Sequence, residues 1–280
     1  MNRLVTLGVK GGPSLLAVGA MPTSTLLDLD GHRIVIDAGL GVTRALVQAD
    51  VALSSLDAIF ITHLHSDHIL ELGGLVHTAW VSGLKTIIHV YGPEGIKEYW
   101  SGFLQAMSYD HHLRVVDDGR VPLETLVKVH TVSEGVIPHD GLRIKALLVN
   151  HPPVNFAYAY RFDGSRSVTF SGDTAFHPPL IDFARGSDVL VHEALLPEGV
   201  EVILTRTGGG DKLRHHLTAS HTAVTDVGRI AAGAGVGRLV LHHLVPVDFP
   251  PFTAADWQDR AGLHYAGPVI VGKDGLEIEL

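Results

Sequence analysis

Short apolar runs, rich in Val, Ile and Leu and bounded by Gly, Pro, Asp or Asn, recur along the chain and predict β-strands. In the first half they cover Arg3–Leu7, Ser24–Leu29, His32–Asp37, Asp57–Ile61 and Thr86–Tyr91. In the second half they cover Leu142–Val149, Ala157–Phe162, Ser167–Phe170, Asp188–Val191, Arg238–Leu241, Pro268–Val271 and Leu276–Leu280. Between them, apolar positions at helical spacing predict helices over Thr43–Gln48, Ile69–Ser82, Pro93–Ser108 and Ala223–Ala234. Pro93 and Glu94 suit a first helical turn, and Gly235 suits a helix end. Thr205–Leu213, TRTGGGDKL, reads as a surface loop. Strands dense at the start, with helices interleaved throughout, predict a layered α/β (α+β) sandwich with helices outside two sheets.

Composition narrows the chemistry. The 280 residues include 19 histidines and no cysteine, so a metal would be held by His, Asp or Glu alone. The net charge of −9 argues against a surface that grips nucleic acid through clustered Lys and Arg. An apolar content of 46% predicts a well-buried core. The N-terminus has no basic segment followed by an apolar one, and no apolar run approaches a membrane span, so a cytoplasmic protein with no membrane contact is expected.

The densest chemistry is Thr62-His63-Leu64-His65-Ser66-Asp67-His68, directly after the strand Asp57–Ile61. His63 and His65 are two residues apart and share a side on an extended backbone. Asp67 and His68 follow the turn and can face a second ion. Imidazole and carboxylate together suit a borderline divalent metal such as zinc. One loop cannot close two metal sites, and three further strands each deliver a candidate at their C-terminal ends: His151 after Leu142–Val149, Asp173 after Ser167–Phe170, and His242-His243 after Arg238–Leu241. Of the other histidines, His111-His112 and His215-His216 sit in polar surroundings and read as surface residues, while His177 is placed to line a pocket and His192 to support a ligand. Trp80, Trp100 and the Phe103–Met107–Tyr109 group read as core packing.

With these motifs in view, the sequence resembles the metallo-β-lactamase superfamily in its ribonuclease Z and arylsulfatase-like branch. The resemblance runs from TLGVKGGP through VIDAGLG at Val35–Gly41 and ITHLHSDHILELGGL at Ile61–Leu75. It continues through NHPP at Asn150–Pro153, SGDT at Ser171–Thr174, VHEA at Val191–Ala194, SHTA at Ser220–Ala223 and LVLHHL at Leu239–Leu244. It implies one domain over 1–280, a four-layer αβ/βα sandwich with a two-metal site at one edge of the sheets. It implies that His63, His65 and His151 hold one ion, that Asp67, His68 and His243 hold the other, and that Asp173 bridges. Two Zn²⁺ are expected, with Mn, Fe or Co also compatible. It further implies that Asp67 contacts a metal-bridging hydroxide. His221 would bind substrate or donate a proton, and Glu193 would orient it. Two divalent ions, opposed by Asp67, Asp173 and a hydroxide, leave the site at about +1, which lowers the pKa of bound water and stabilises developing negative charge.

The branch's ribonuclease Z commonly carries a long basic arm after the third metal ligand, whereas Tyr160–Ser167 here reads as a tight hairpin. With the acidic charge, this points to a hydrolase of a small-molecule ester, lactone, sulfate ester or phosphoester, without a nucleic-acid partner. The alternatives are a ribonuclease Z-type tRNA 3′-processing endonuclease and a metal-binding accessory protein without turnover. A homodimer is left open.

Overall fold

The structure, a computed structural model, describes residues 2–15, 19–247 and 252–280. The strands in chain order are β1 (Arg3–Gly8), β2 (Ser24–Leu29), β3 (His32–Ile36), β4 (Ala58–Phe60), β5 (Ile88–Gly92), β6 (Val127–Thr131) and β7 (Gly135–Ile137). They continue with β8 (Arg143–Leu148), β9 (Tyr158–Asp163), β10 (Ser167–Phe170), β11 (Val189–Leu195), β12 (Arg238–Val245), β13 (Val269–Val271) and β14 (Leu276–Glu279). One sheet has the order β14-β1-β2-β3-β4-β5-β6 and the other β13-β12-β11-β10-β9-β8-β7.

Alternation along the strands builds the layers. Ile34, Ile36 and Phe60 face the other sheet, while Val35 and Ile59 face the helices outside. Between the sheets, Phe60 stacks on Tyr91 with ring centroids 4.5 Å apart and meets Phe162 edge-on at 5.1 Å. Helices α1 (Val42–Gln48), α2 (Ser66–Ile69), α3 (Leu72–Val81), α4 (Ile96–Ala106) and α5 (Ser108–Val116) follow the early strands. Trp80 and Trp100 are buried in the cluster that several of these helices share with the first sheet. Helices α6 (Pro179–Phe183), α7 (Val200–Thr207), α8 (Asp211–Ser220), α9 (Val224–Ala234) and α10 (Ala254–Gly262) belong to the second half, where α6, α9 and α10 pack on the outer face of the second sheet. The chain therefore has the layered α/β sandwich that its pattern predicts, two sheets enclosed by helices, in keeping with what the resemblance implied. Among the described residues, no helix is long and apolar enough to cross a membrane.

Several local expectations are corrected. Thr205–Leu213 is not one loop: α7 runs to Thr207 and α8 starts at Asp211, leaving only Gly208–Gly210 between them. The three glycines hide two amphipathic helices, whose Leu204, Leu213 and Leu217 share a cluster with Val200 and Val245. Helix α4 starts at Ile96, because Gly95 adopts a left-handed conformation (φ 97°), so Pro93 and Glu94 precede it. Ile69–Ser82 is interrupted after Ile69 and resumes at Leu72. Tyr109 is 78% exposed and takes no part in the core. Strand β12 continues past Leu241 to Val245. It pairs Glu193 with His242 and Ala194 with Leu244, so His243 is an extra, bulged residue, held at φ 40°.

Candidate metal centre and active site

Strand β4 ends between β3 and β5, and the chain then turns across their ends. Asp37, at φ 59°, organises that turn: its Oδ1 accepts the Thr62 N–H at 2.8 Å, and its Oδ2 lies 2.9 Å from Thr62 Oγ1 and 2.8 Å from His68 Nδ1. His63 Nε2 lies 2.9 Å from His65 Nδ1, which lies 3.2 Å from His151 Nε2. The His151 ring is fixed from behind, its Nδ1 donating to the Ser220 carbonyl at 2.9 Å. Asp67 Oδ2 lies 3.3 Å from His243 Nε2 and 3.6 Å from His68 Nε2. The structure thus gathers His63, His65 and His151 into one group and Asp67, His68 and His243 into another, each compact enough to hold an ion. Asp173 Oδ2 stands between them, 3.1 Å from His243, 3.3 Å from His68, 3.8 Å from His63 and 3.9 Å from His151, all to Nε2.

Two observations fit this set to divalent cations. Ligand atoms at tetrahedral positions about 2.0–2.1 Å from zinc sit about 3.3 Å apart, close to the spacings within the His63 group. His68 Nε2, which faces Asp67 and Asp173, is also buried without a hydrogen-bond partner. Charge points the same way. Burial holds His63 well below its usual range and brings His151 down to about 4, so both offer neutral imidazoles. Burial would lower His68 too, but Asp173, Asp37 and Asp67 raise it well above its usual range. Burial resists charge on Asp173, yet His243 and His68 hold it well below the usual carboxylate range. The pocket keeps its carboxylates ionised and demands positive charge between them.

His221 follows α8 and Glu193 lies on β11. His221 Nδ1 is 3.2 Å from Glu193 Oε1, which also accepts the Thr174 N–H at 2.9 Å and the Thr222 N–H at 3.3 Å. Burial alone would lower His221, but the Glu193 carboxylate overrides it and raises the pKa to about 9. Both residues adjoin these two groups: His221 is 5.3 Å from His151 and 5.4 Å from His243 between ring centroids.

A cavity of about 560 Å³ opens over these groups. His65, Asp67, Asp173 and His221 form one wall, and Ile203, Leu213, Leu217, Val245 and Val247 form an apolar wall opposite. The loop Gly11–Ser14 closes one side. Lys10 Nζ holds it through the Gly12 carbonyl at 2.8 Å, and the Gly12 N–H donates to Asp67 Oδ2 at 2.7 Å. A Cβ on Gly11 would fall 2.8 Å from His243 Cε1 and 2.4 Å from Val245 Cγ2, so the loop reaches the site only because residue 11 has no side chain.

Other histidines fall differently from expectation. His216 is not a surface residue: it lines the cavity, 6.2 Å from His65 between ring centroids. It lies five residues before His221 on α8, a placement hidden while that helix read as a loop. His111 is buried, stacked on His77 beside Trp80. His177 lines a separate surface hollow with Leu148 and Pro153. His192 is fully buried, its Nδ1 bonded to the Glu193 carbonyl. His242 turns from the centre toward Thr25 Oγ1, at 3.2 Å. Asp37 went unassigned, although a carboxylate directly after an apolar strand marked the same rim.

Comparison with known proteins places this geometry among relatives. The profile of the family described as Anti-Pycsar protein Apyc1 matches residues 3–204. Ribonuclease Z of Mycobacterium sp. (strain KMS) is 33% identical over 280 residues, covering 99% of this chain and 95% of its own. Ribonuclease Z of Mycobacterium marinum is 30% identical, covering 92% and 91%. Among solved structures, the metallo-β-lactamase fold protein YhfI from Bacillus subtilis superposes over 100% of both chains with a TM-score of 0.73 at 23% identity. Human short-form tRNase Z superposes over 99% of this chain and 98% of its own with a TM-score of 0.68 at 18% identity.

Proposed function

The chain belongs to the family described as Anti-Pycsar protein Apyc1 and to the ribonuclease Z branch of the metallo-β-lactamase superfamily, and from there we propose that it is a metal-dependent phosphodiester hydrolase. The observation that carries this reading is the pair of His/Asp groups sharing Asp173 on the wall of a cavity of about 560 Å³. In our assignment His63, His65 and His151 hold one divalent ion, Asp67, His68 and His243 the other, and Asp173 lies between; zinc is preferred, with manganese, iron or cobalt compatible with the same donors. Such ions supply Lewis acidity and make hydroxide available near neutral pH.

The chain's own residues do the rest. Asp67, held by the Gly12 N–H, keeps its carboxylate turned toward the reacting centre. His221 is gripped at Nδ1 by Glu193, which leaves Nε2 to carry a proton to the leaving oxygen. The apolar wall from α7 and α8 excludes water and seats the organic part of the substrate.

RNA is the substrate class that the curated relatives favour. The small-molecule reading rested on the acidic charge and the missing arm, and the second of these loses its weight. The Mycobacterium relatives named ribonuclease Z align over 91–95% of their own length, leaving no room for a long arm that this chain lacks. A free small phosphodiester stays as the second reading, because the cavity is nucleotide-sized and the net charge is −9.

The test is to assay metal-replete protein on a tRNA precursor with a 3′ trailer, on a dinucleotide and on bis(p-nitrophenyl) phosphate, before and after chelation. The RNA reading expects endonucleolytic cleavage that weakens steeply with salt. The small-molecule reading expects dinucleotide turnover insensitive to salt and an intact precursor. No phosphodiester turnover with any of the four metals would overturn the proposal.

A further inference from the structure

His216 joins neither of the two His/Asp groups that share Asp173, yet it stands beside them. Its ring centroid is 6.2 Å from His65, 6.3 Å from His151 and 6.1 Å from His221. The rings of His63, His65 and His151 are 4.6–5.0 Å apart, so His216 stands one step farther out, on the cavity wall. Helical spacing puts Leu213, His216 and Leu217 on one face of α8, and all three line the cavity. His216 is the polar member of that face. Ser220, one turn further along the helix and buried, fixes its ring. The Ser220 hydroxyl donates to the Pro152 carbonyl, which can only accept, so its single proton is spent there. His216 Nδ1 lies 3.4 Å from the same Oγ, so Nδ1 carries the hydrogen of that contact and Oγ accepts it. Nε2 is the nitrogen left for the cavity, and in the neutral ring it holds a lone pair. The Ser220 backbone carbonyl receives His151 Nδ1 at 2.9 Å, so one serine sets His216 and His151 in register.

On the phosphodiesterase reading of the site, on which this assignment rests, we propose that His216 Nε2 accepts a hydrogen bond from a substrate hydroxyl on the carbon next to the ester oxygen. The residue thereby selects ribonucleotide over deoxyribonucleotide phosphodiesters. The 2′-hydroxyl is the donor that distinguishes the two sugars, and an acceptor is what reads it. Arg206 and Lys10, the cations lining the cavity, only donate. Asp67, Asp173 and His65 are assigned to the ions, and His221 is assigned to the leaving oxygen. The 6.1 Å between the His221 and His216 rings suits groups that address neighbouring oxygens of one sugar, the ester oxygen and the hydroxyl beside it. Leu213 and Leu217 flank His216 with apolar surface that gives Nε2 no substitute donor. A ribose fills that acceptor, whereas a deoxyribose leaves it unmade.

The test compares metal-replete protein on adenylyl-3′,5′-adenosine and on the same dinucleotide with 2′-deoxyribose or 2′-O-methylribose at the 3′-linked sugar. The unmodified chain is expected to favour the ribonucleotide about 10–100-fold in kcat/KM, because neither analogue offers a hydroxyl proton at that position. H216L is expected to bring the ribonucleotide down to the level of the analogues, with bound metal equal to that of the unmodified chain. H216Q, whose amide oxygen takes the place of Nε2, is expected to recover part of the preference. Equal kcat/KM on the three dinucleotides in the unmodified chain, or an H216L variant that keeps the preference for ribose, overturns the assignment and leaves the phosphodiesterase reading standing. So does hydrolysis of bis(p-nitrophenyl) phosphate without turnover of any dinucleotide. No turnover of any of these phosphodiesters overturns both.

Discussion

His68 Nδ1 lies 2.8 Å from Asp37 Oδ2, and this contact leaves Nε2 as the nitrogen that faces Asp67 and Asp173. Asp37 therefore acts through His68, fixing both its ring orientation and its tautomer. Asp37→Asn keeps an acceptor for the Thr62 N–H and tolerates the left-handed backbone, but gives up the carboxylate. The expected outcome is metal affinity weakened about 10–100-fold with the fold retained, read by chelator competition alongside circular dichroism.

Removal of His221 separates proton donation from metal binding. His221→Ala is expected to lower kcat about 10²–10⁴-fold on substrates with a poor leaving group while the bound metal stays constant. On bis(p-nitrophenyl) phosphate, whose leaving group departs unprotonated, the loss should be far smaller. Glu193→Gln should show the same dependence on leaving group in weaker form. An equal loss on every substrate would sink the proton-donor role.

Gly11 offers a different probe. An added Cβ presses on His243 and Val245, so Gly11→Ala should displace the Asp67–His68–His243 group and spare His63, His65 and His151. The expected protein loses one equivalent of metal at the centre and retains the other. Metal analysis of dialysed protein, paired with a thermal melt, checks this; loss of both ions or of neither contradicts it.

The pH dependence of stability is expected to show the His77–His111 pair. Their rings stack, with His77 Nδ1 3.2 Å from His111 Nε2, and Asp110, Arg114, Arg120 and Trp80 surround them. Burial lowers both pKa values, so the folded state prefers neutral rings while the unfolded chain takes up protons near 6.5. Their contribution is whole above that value and is lost as pH falls toward the folded-state values. Urea midpoints measured from pH 7.5 to 5 should fall, and fall less in H77Q/H111Q.

Much of the fold was legible because each strand is short, apolar and bounded by turn residues. The cluster from His63 to His68 was legible because chemistry packed into one loop needs no tertiary knowledge. What stayed hidden depends on long-range packing. Strands β6 and β7 are short edge strands: β6 has only Val127 and Val129 as apolar residues, and β7 is three residues long with Val136 exposed, so neither forms an apolar run bounded by turn residues. Helices α7 and α8 were masked by the glycines between them, and with them went His216. Strand β12 seemed to stop at Leu241, since the bulge at His243 breaks the period on which strand reading depends.

That bulge reaches beyond the placement of His243. Before it, Leu239 and Leu241 face the outer helices; after it, Leu244 does so, and Val245 turns to the cluster under α7 and α8. The parity of the strand is inverted at His243, so one continuous strand serves the scaffold on one side and the roof of the cavity on the other. For an engineer, the count of residues at 243 is fixed: deleting the extra residue would turn Leu244 out of the scaffold core and Val245 away from α7 and α8 at one stroke.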